Sequence, residues 1–317
     1  MLPLVSLFEP VVSGERPHER GGMFKNLSTD GVGVSGRQSE IIELALSFGF
    51  KGIDLDLLDF QEQVKTHGLA HARRLLDSAR LKIGTFRLPL VWDDSDETYQ
   101  KGLRALPELI QLAADIGAKR AVTTIAPAND LRPYHENFEF HRRRLTEIGE
   151  RLAADGIRLG VEFVASAHAR KNRAFQFIHT FDAVVTLVNM IRSSNVGVII
   201  DAWQILATGN KFDEIRKLTA ERIVAVSLSD APADADPVTL SERDRLLPGE
   251  TGTIDSAALL TMLAEIGFEG PVSPRAHRDR LAGLRRDQIV KLAGERVDQA
   301  WKAANLSPAG KLLPAKR

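Results

Sequence analysis

Three acidic residues stand at the carboxyl ends of short apolar runs: Asp54 in GIDLD, Glu162 in LGVEF and Asp201 in VIIDAW. An acid inside such a run costs free energy unless it is paired, hydrogen-bonded or metal-bound. Three of them on one rim read either as a polar site that moves protons or holds a cation, or as three separate ion pairs with neighbouring Arg or Lys. The chain has no cysteine, so a metal here would rest on His, Asp or Glu, and thiolate zinc, iron–sulfur clusters and a cysteine nucleophile are excluded. His67 and His71 have the i,i+4 spacing of two ligands on one helix turn, but HGLAH lacks a zincin glutamate and a third ligand, so they read as surface residues.

The elements that must carry these acids alternate in kind. Eight β-like runs begin at Leu2, Lys51, Leu81, Lys119, Ile157, Asn195, Arg222 and Pro271. Their mean spacing of about 38 residues exceeds the ~30 that a strand, crossover helix and loops need. Between them the spacing predicts helices over Gln38–Phe48, Gln61–Ala79, Glu97–Ile116, Asn137–Ala154, Thr180–Ile191, Phe212–Ala220, Ser256–Ile266 and Gly283–Asn305. Asp255 is a fitting N-cap, and Gly49, Gly117, Gly156 and Gly267 fit helix ends. The expected fold is α/β, a single (β/α)8 TIM barrel over residues 1–305 with a mobile tail over 306–317. In such barrels the strand carboxyl ends form the active face. Glu9 to Arg37 reads as one long glycine-rich connection after the first strand, either covering a ligand or making a plain surface excursion.

Within that connection GVGVSG, Gly31 to Gly36, satisfies the dinucleotide pattern, with Asp54 and Asp56 about 20 residues on. The pattern needs a buried strand before its first glycine, and GGMFKNLSTD reads as too polar to be one, so a glycine-rich loop before a helix capped by Ser35 is expected. The basic run HRRRL, His141 to Leu145, has Glu136, Glu139, Glu147 and Glu150 around it and reads as a solvated helix face.

The wording of the strands resembles a family, the xylose-isomerase-like TIM barrels, which include sugar isomerases, ketose epimerases, inosose-type dehydratases and a DNA-repair endonuclease branch. The resemblance is carried by GFKGIDLDL, GIRLGVEF with FIHT, NVGVIIDAW, LSDAP, DRLLPGE…GTID and GFEGPVS, and so runs over most of the chain. It implies a divalent metal at the barrel mouth held by Glu, Asp, His and a second Glu, the glutamates moving protons beside it. Glu162 matches the first glutamate and Asp201 the aspartate. The histidine falls on Ser227, the second glutamate on Arg275, and a substrate-facing histidine on Gln204. PGETGTID also carries one extra residue.

A guanidinium about 4 Å from a divalent ion would repel it by roughly 8 kcal/mol at an effective dielectric near 20. No tightly held Mn, Mg or Zn ion is therefore expected; were one retained, Glu162 and Asp201 would hold it. The expected replacement is Arg275 setting its fork against both acids. Glu162 and Arg275 are then the expected catalytic pair, with Asp54, Gln204, Ser227, Arg245 and His168 facing the substrate. His168 and His277 are near enough in sequence to rescue a shifted metal site, though loop roles suit both.

The expected activity is isomerisation or epimerisation of a sugar, sugar phosphate or polyol; the other reading is a non-catalytic barrel that binds a carbohydrate-like ligand or a partner. With 42 basic and 42 acidic residues, the chain lacks the surplus positive charge of a nucleic-acid binder, and these strands lack the endonuclease branch's extra histidines. Its longest apolar runs fall short of the ~20 residues of a spanning helix, and MLPLVSLFEP lacks a basic start. A cytoplasmic protein with no membrane partner is expected, and a homo-oligomer is left open.

Overall fold

A computed structural model describes residues 21–237 and 239–314. Eight parallel strands close into a barrel in chain order: β1 (Phe24–Leu27), β2 (Gly52–Leu55), β3 (Lys82–Arg87), β4 (Arg120–Thr124), β5 (Arg158–Glu162), β6 (Val196–Asp201), β7 (Ile223–Leu228) and β8 (Pro271–Pro274). β8 pairs with β1, Phe24 opposite Pro271, which closes the ring. All six residues of β6 are buried, as expected of a strand covered on both faces. Seven strands fall where the apolar runs placed them.

The first does not. The Leu2 run lies outside the described residues, and the barrel's first position is taken by FKNL, inside the segment read as a long connection. A strand with Lys25 and Asn26 at its centre is tolerated because its inward neighbours are glycines. A Cβ on Gly84 would sit 2.2 Å from Asn26 Oδ1, and one on Gly52 would sit 2.5 Å from the Phe24 ring. Asn26 is fully buried there and donates to Asp54 Oδ1 at 2.8 Å and Ser273 Oγ at 2.9 Å, tying β1, β2 and β8 together.

The polarity of GGMFKNLSTD was therefore no ground for rejecting the dinucleotide pattern. The geometry supplies a better one. Val32 and Val34 are buried, and Arg286 bonds Ser35 O and Glu40 over the start of α1 (Gln38–Ser47), at 3.0 Å each; the N-cap of that helix is Arg37, not Ser35.

The helices follow the sequence with local exceptions. Gly68, at φ 82°, divides the expected Gln61–Ala79 helix into α2 (Leu57–His67) and α3 (Leu69–Ala79). His67 and His71 consequently stand on different helices, exposed, their rings 5.1 Å apart. α4 (Asp96–Asp115), α5 (Tyr134–Ala153), the short α6 (Ala167–Arg170) and α7 (Phe181–Met190) follow. Phe212–Lys217 is a 3-10 turn, and the helix after β6 is the short α8 (Ala202–Ala207). α9 (Ser256–Ile266) is capped by Asp255 as expected, and α10 (Arg286–Ala303) completes the ring.

HRRRL is only half a solvated face. Arg142 pairs with Glu139 at 2.7 Å, but His141 and Arg144 are buried. Arg144 donates to the Trp92 carbonyl, to the Asp94 carbonyl at 2.7 Å and to Asp96, and so pins the loop between β3 and α4. Burial pushes His141 down to about 4. The stretch after Asn305, expected to be mobile, folds back: Leu306 and Leu312 bridge antiparallel, and Trp301 donates to Ser307 O at 3.1 Å.

One loop matters most for the mouth. After β7 the chain runs from Ser229 to Asp255, and the buried Asp230 carboxylate organises it by accepting from the backbone N–H of Ala231, Thr251, Gly252 and Ile254 at 2.8–2.9 Å. Asp230→Ala strands four donors, two of them in buried residues, and is expected to cost about 2–4 kcal/mol in urea unfolding. A loss under 1 kcal/mol would show that the loop is held elsewhere.

Candidate active site

The site is built on Asp201, the last residue of β6. Its Oδ1 accepts from the backbone N–H of Trp203 and Gln204 at 3.0 and 3.1 Å, so the acid serves as N-cap of α8. A carboxylate only 1% exposed needs more than two amides. Arg245, from the loop after β7, places Nη1 2.8 Å from both Asp201 oxygens. Arg275, immediately after β8, donates from its own Nη1 to Glu162 Oε1 at 2.6 Å and to Asp201 Oδ2 at 3.0 Å. The expected fork is in fact one nitrogen shared by two acids.

A second ring holds the arginines. Arg245 donates to Ser229 Oγ at 3.1 Å, pairs with Glu242 at 3.1 Å and lies over the Trp203 ring. Glu242 also accepts from Gln204 Nε2 at 3.0 Å, while Gln204 Oε1 accepts from Ala165 N–H at 2.7 Å. Ser229 Oγ donates to the Arg275 carbonyl at 2.8 Å, and Thr124 donates to Glu162 Oε2 at 3.2 Å. Arg245 is 1% exposed and Arg275 a third exposed, so Arg275 is the cation that faces the mouth.

Burial raises Glu162 above the ordinary carboxylate range; Arg275 opposes this and the nearby Asp201 adds to it. Burial also acts upward on Asp201, but Arg245 and Arg275 together outweigh it and hold that carboxyl low. Glu162 raises Arg275 further, against burial, with Asp201 and Glu242 adding to the effect. One acid is thus a fixed anion, and the other accepts a proton more readily.

The residues do not fit the metal that the resemblance implies. The space between Glu162 and Asp201 is taken by a guanidinium nitrogen, and both Asp201 oxygens are engaged by Arg245. Ser227, in register with Asp201 and Ser273, offers a hydroxyl where an imidazole would be needed. Among the described residues no group of three His, Cys, Asp or Glu side chains is placed to hold a metal.

Glu162, Asp201, Arg275, Arg245 and Gln204 are thus brought together, and Ser227 lies at the rim beside them. Asp54 stands apart on β2, accepting from Asn26 and from Thr85 N–H at 2.8 Å, its carboxyl raised by burial against those bonds and Ser28. His168 is exposed on α6 and bonds nothing in the site. His277 caps a 3-10 turn by accepting from Asp279 N–H, while its own N–H donates to Arg245 O at 3.0 Å. Sequence reasoning missed Glu242, Ser229 and Thr124; only Glu242, three residues before Arg245 in ERDR, carried a signal.

The xylose isomerase-like TIM barrel family matches residues 42–298. An inosose isomerase of Bacillus velezensis is 24% identical over 259 residues, which cover 81% of this chain and 89% of that protein. A xylose isomerase domain protein from Alicyclobacillus acidocaldarius shares the fold with a TM-score of 0.81 at 24% identity, over 90% of this chain and all of that one. So does the IOLI protein, whose crystal structure has a binding zinc atom, with a TM-score of 0.72 at 20% identity over 89% and 98% of the two chains.

Arg245→Met leaves Asp201 buried with only half its compensation and is expected to destabilise the chain by about 3–5 kcal/mol. Arg275→Met should cost less, since that guanidinium is a third exposed. Chemical denaturation ranks the two, and the reverse order would reassign the structural cation. The raised Glu162 has a pH signature too. A carboxyl held above its unfolded value of 4.5 stabilises the fold below that pH and loses the contribution as pH rises through its folded value. Glu162→Gln should flatten the stability profile in that window, and an unchanged slope would show that Glu162 does not titrate there.

Proposed function

Because the chain belongs to the xylose isomerase-like TIM barrel family, we propose that it is an isomerase of a sugar- or polyol-type ketone, acting at the barrel mouth without a metal ion. The observation that carries this reading is the shared Arg275 nitrogen: the mouth pairs a carboxylate with a fixed positive charge where the family's metal would stand. The similarity to an inosose isomerase supports the substrate class. A cytoplasmic setting, proposed on the composition, accords with the finding that no described helix is long and apolar enough to cross a membrane.

The chemistry needs one base and one electrostatic stabiliser. Glu162, raised by burial, takes the proton from the carbon beside the carbonyl, and the C–H electron pair becomes the C=C of an enediolate. Arg275, with donors left over from its bonds to the acids, stabilises the oxygen on which charge develops. Glu162 then returns the proton to the neighbouring carbon, while the hydroxyl proton passes to the former carbonyl oxygen. All of this occurs on one face of the substrate. The lost second glutamate therefore weighs against epimerisation, which must deliver a proton to the opposite face, and leaves isomerisation intact.

A second reading, a barrel that binds such a ligand without turning it over, is favoured by one distance. Glu162 Oε1 already lies 2.6 Å from Arg275, so the base is partly engaged before any substrate arrives.

A panel of ketoses and inososes, assayed with manganese and with EDTA, separates the two. Turnover indifferent to both additions, and reduced about 10²–10⁴-fold in Glu162→Gln, is expected. Saturable binding with no turnover selects the second reading, and EDTA-sensitive turnover refutes the metal-free one. In addition, Ser227→His with Arg275→Glu should create manganese binding, read as a rise in Tm, that the parent chain lacks.

A further inference from the structure

At the other end of the barrel, a cavity of about 410 Å³ opens between the amino-terminal ends of β3 and β4. Its lining carries Arg80, Lys82, Lys119 and Arg120, with Phe24 and, as the one acid among the described residues, Asp77. Asp77 is already engaged by Arg73, at 2.9 and 3.3 Å. None of the four cations has a carboxylate within 4 Å among the described residues. The carboxyl ends of α3 and α4 border the cavity and contribute about half a negative charge each; with Asp77 offset by Arg73, the four cations keep a surplus of about three positive charges.

Arg120 shows most clearly that a counter-charge is missing. It points inward from β4 and its Nη2 reaches the Glu269 carbonyl at 3.0 Å, yet its Nε is buried with no acceptor among the described residues. Its register partner on β5 is another arginine, Arg158, whose guanidinium is spent on the carbonyls of Glu221 and Ile223. Burial, and then repulsion from Arg158, lower Arg120 to about 10, with Glu269 opposing only through space. Lys82 rests over the Phe24 ring, with no carboxylate beside it among the described residues.

We infer that this basal cavity binds a phosphoryl oxyanion, either inorganic phosphate or the phosphate of a small monoester. A dianion meets most of the surplus charge, which a single carboxylate would not, and the guanidinium and ammonium groups are of the kind that hold phosphate oxygens. The site lies at the amino-terminal end of the barrel, away from Glu162 and Arg275, so its occupancy would act on stability and not on the reacting atoms.

Calorimetric titration of the full chain with inorganic phosphate and with glycerol 3-phosphate, at ionic strength fixed by chloride, tests this. Saturable binding is expected, weakened about tenfold or more in Arg120→Gln and in Lys82→Gln. A match between the two ligands identifies the phosphoryl group as the determinant, and tighter binding of the ester shows that the rest of the cavity is used. Glu162→Gln should bind phosphate like the parent. Lys119→Gln, an exposed change, keeps the test open should Arg120→Gln fail to fold. Absence of binding, equal affinity in the parent and the Lys82 and Lys119 variants, or a loss in Glu162→Gln would each overturn the inference.

Discussion

Asp201 is a carboxylate almost wholly removed from water, and the rest of the mouth is arranged around that cost. A buried charge persists only when its lone pairs are met and its charge is opposed at close range. Two amides at the start of α8 meet part of the need, which fixes where β6 must stop and the helix begin. The remainder comes from Arg245 and Arg275, and each imposes a condition on a distant segment. The loop after β7 must fold back to deliver Arg245, which the Asp230 anchor and the Glu242–Gln204 link accomplish. β8 must end where the side chain of Arg275 can cross to β5 and β6, and its register with β7 sets that position.

An arginine shared by two acids differs from a divalent ion in what it lets the mouth do. A divalent ion exchanges ligands and can take substrate oxygens directly; a guanidinium offers only donors in fixed directions. Arg275 uses one nitrogen for both acids, so its other donors are available to a developing oxyanion. The charge it supplies is half that of a divalent ion and is shared between two carboxylates. Burial raises the basicity of Glu162 against the pull of that single charge.

Much of the barrel was legible because strands buried on both faces write their own signature. The exception explains the rule. FKNL was unreadable as a strand because what makes Asn26 acceptable inside the barrel, the absence of side chains at Gly52 and Gly84, lies 26 and 58 residues away. The same holds for Arg144, whose burial depends on the carbonyls of a loop about 50 residues earlier. In the site, Glu162, Asp201 and Arg275 could be named because each sits at a strand end with a resemblance to lean on. Arg245 could be named only as facing the substrate; its role of setting one Nη1 between both Asp201 oxygens could not, since nothing in a loop arginine marks a partner 44 residues away. Asp54 shows the opposite failure: a strand-end acid that looked like part of the site is absorbed in tying β1, β2 and β3.

The two ends of the barrel are linked by strand parity. On β5 the inward positions are 158, 160 and 162: Arg158 at the base, Gly160 in the packed middle and Glu162 at the mouth. On β4 they are Arg120, Val122 and Thr124. The alternation that delivers a carboxylate and a hydroxyl upward therefore delivers guanidiniums downward. At the mouth, cations from β8 and the β7 loop answer the acids within 3 Å. At the base the guanidiniums meet backbone carbonyls, which carry dipoles but no charge. A chain of zero net charge is in this way polarised along its axis, neutralised where chemistry is proposed and left positive at the amino-terminal end. Closing a barrel fixes this polarity, because every strand must keep its register for the inward residues to meet, and one carboxylate at the top therefore constrains which charges face each other below.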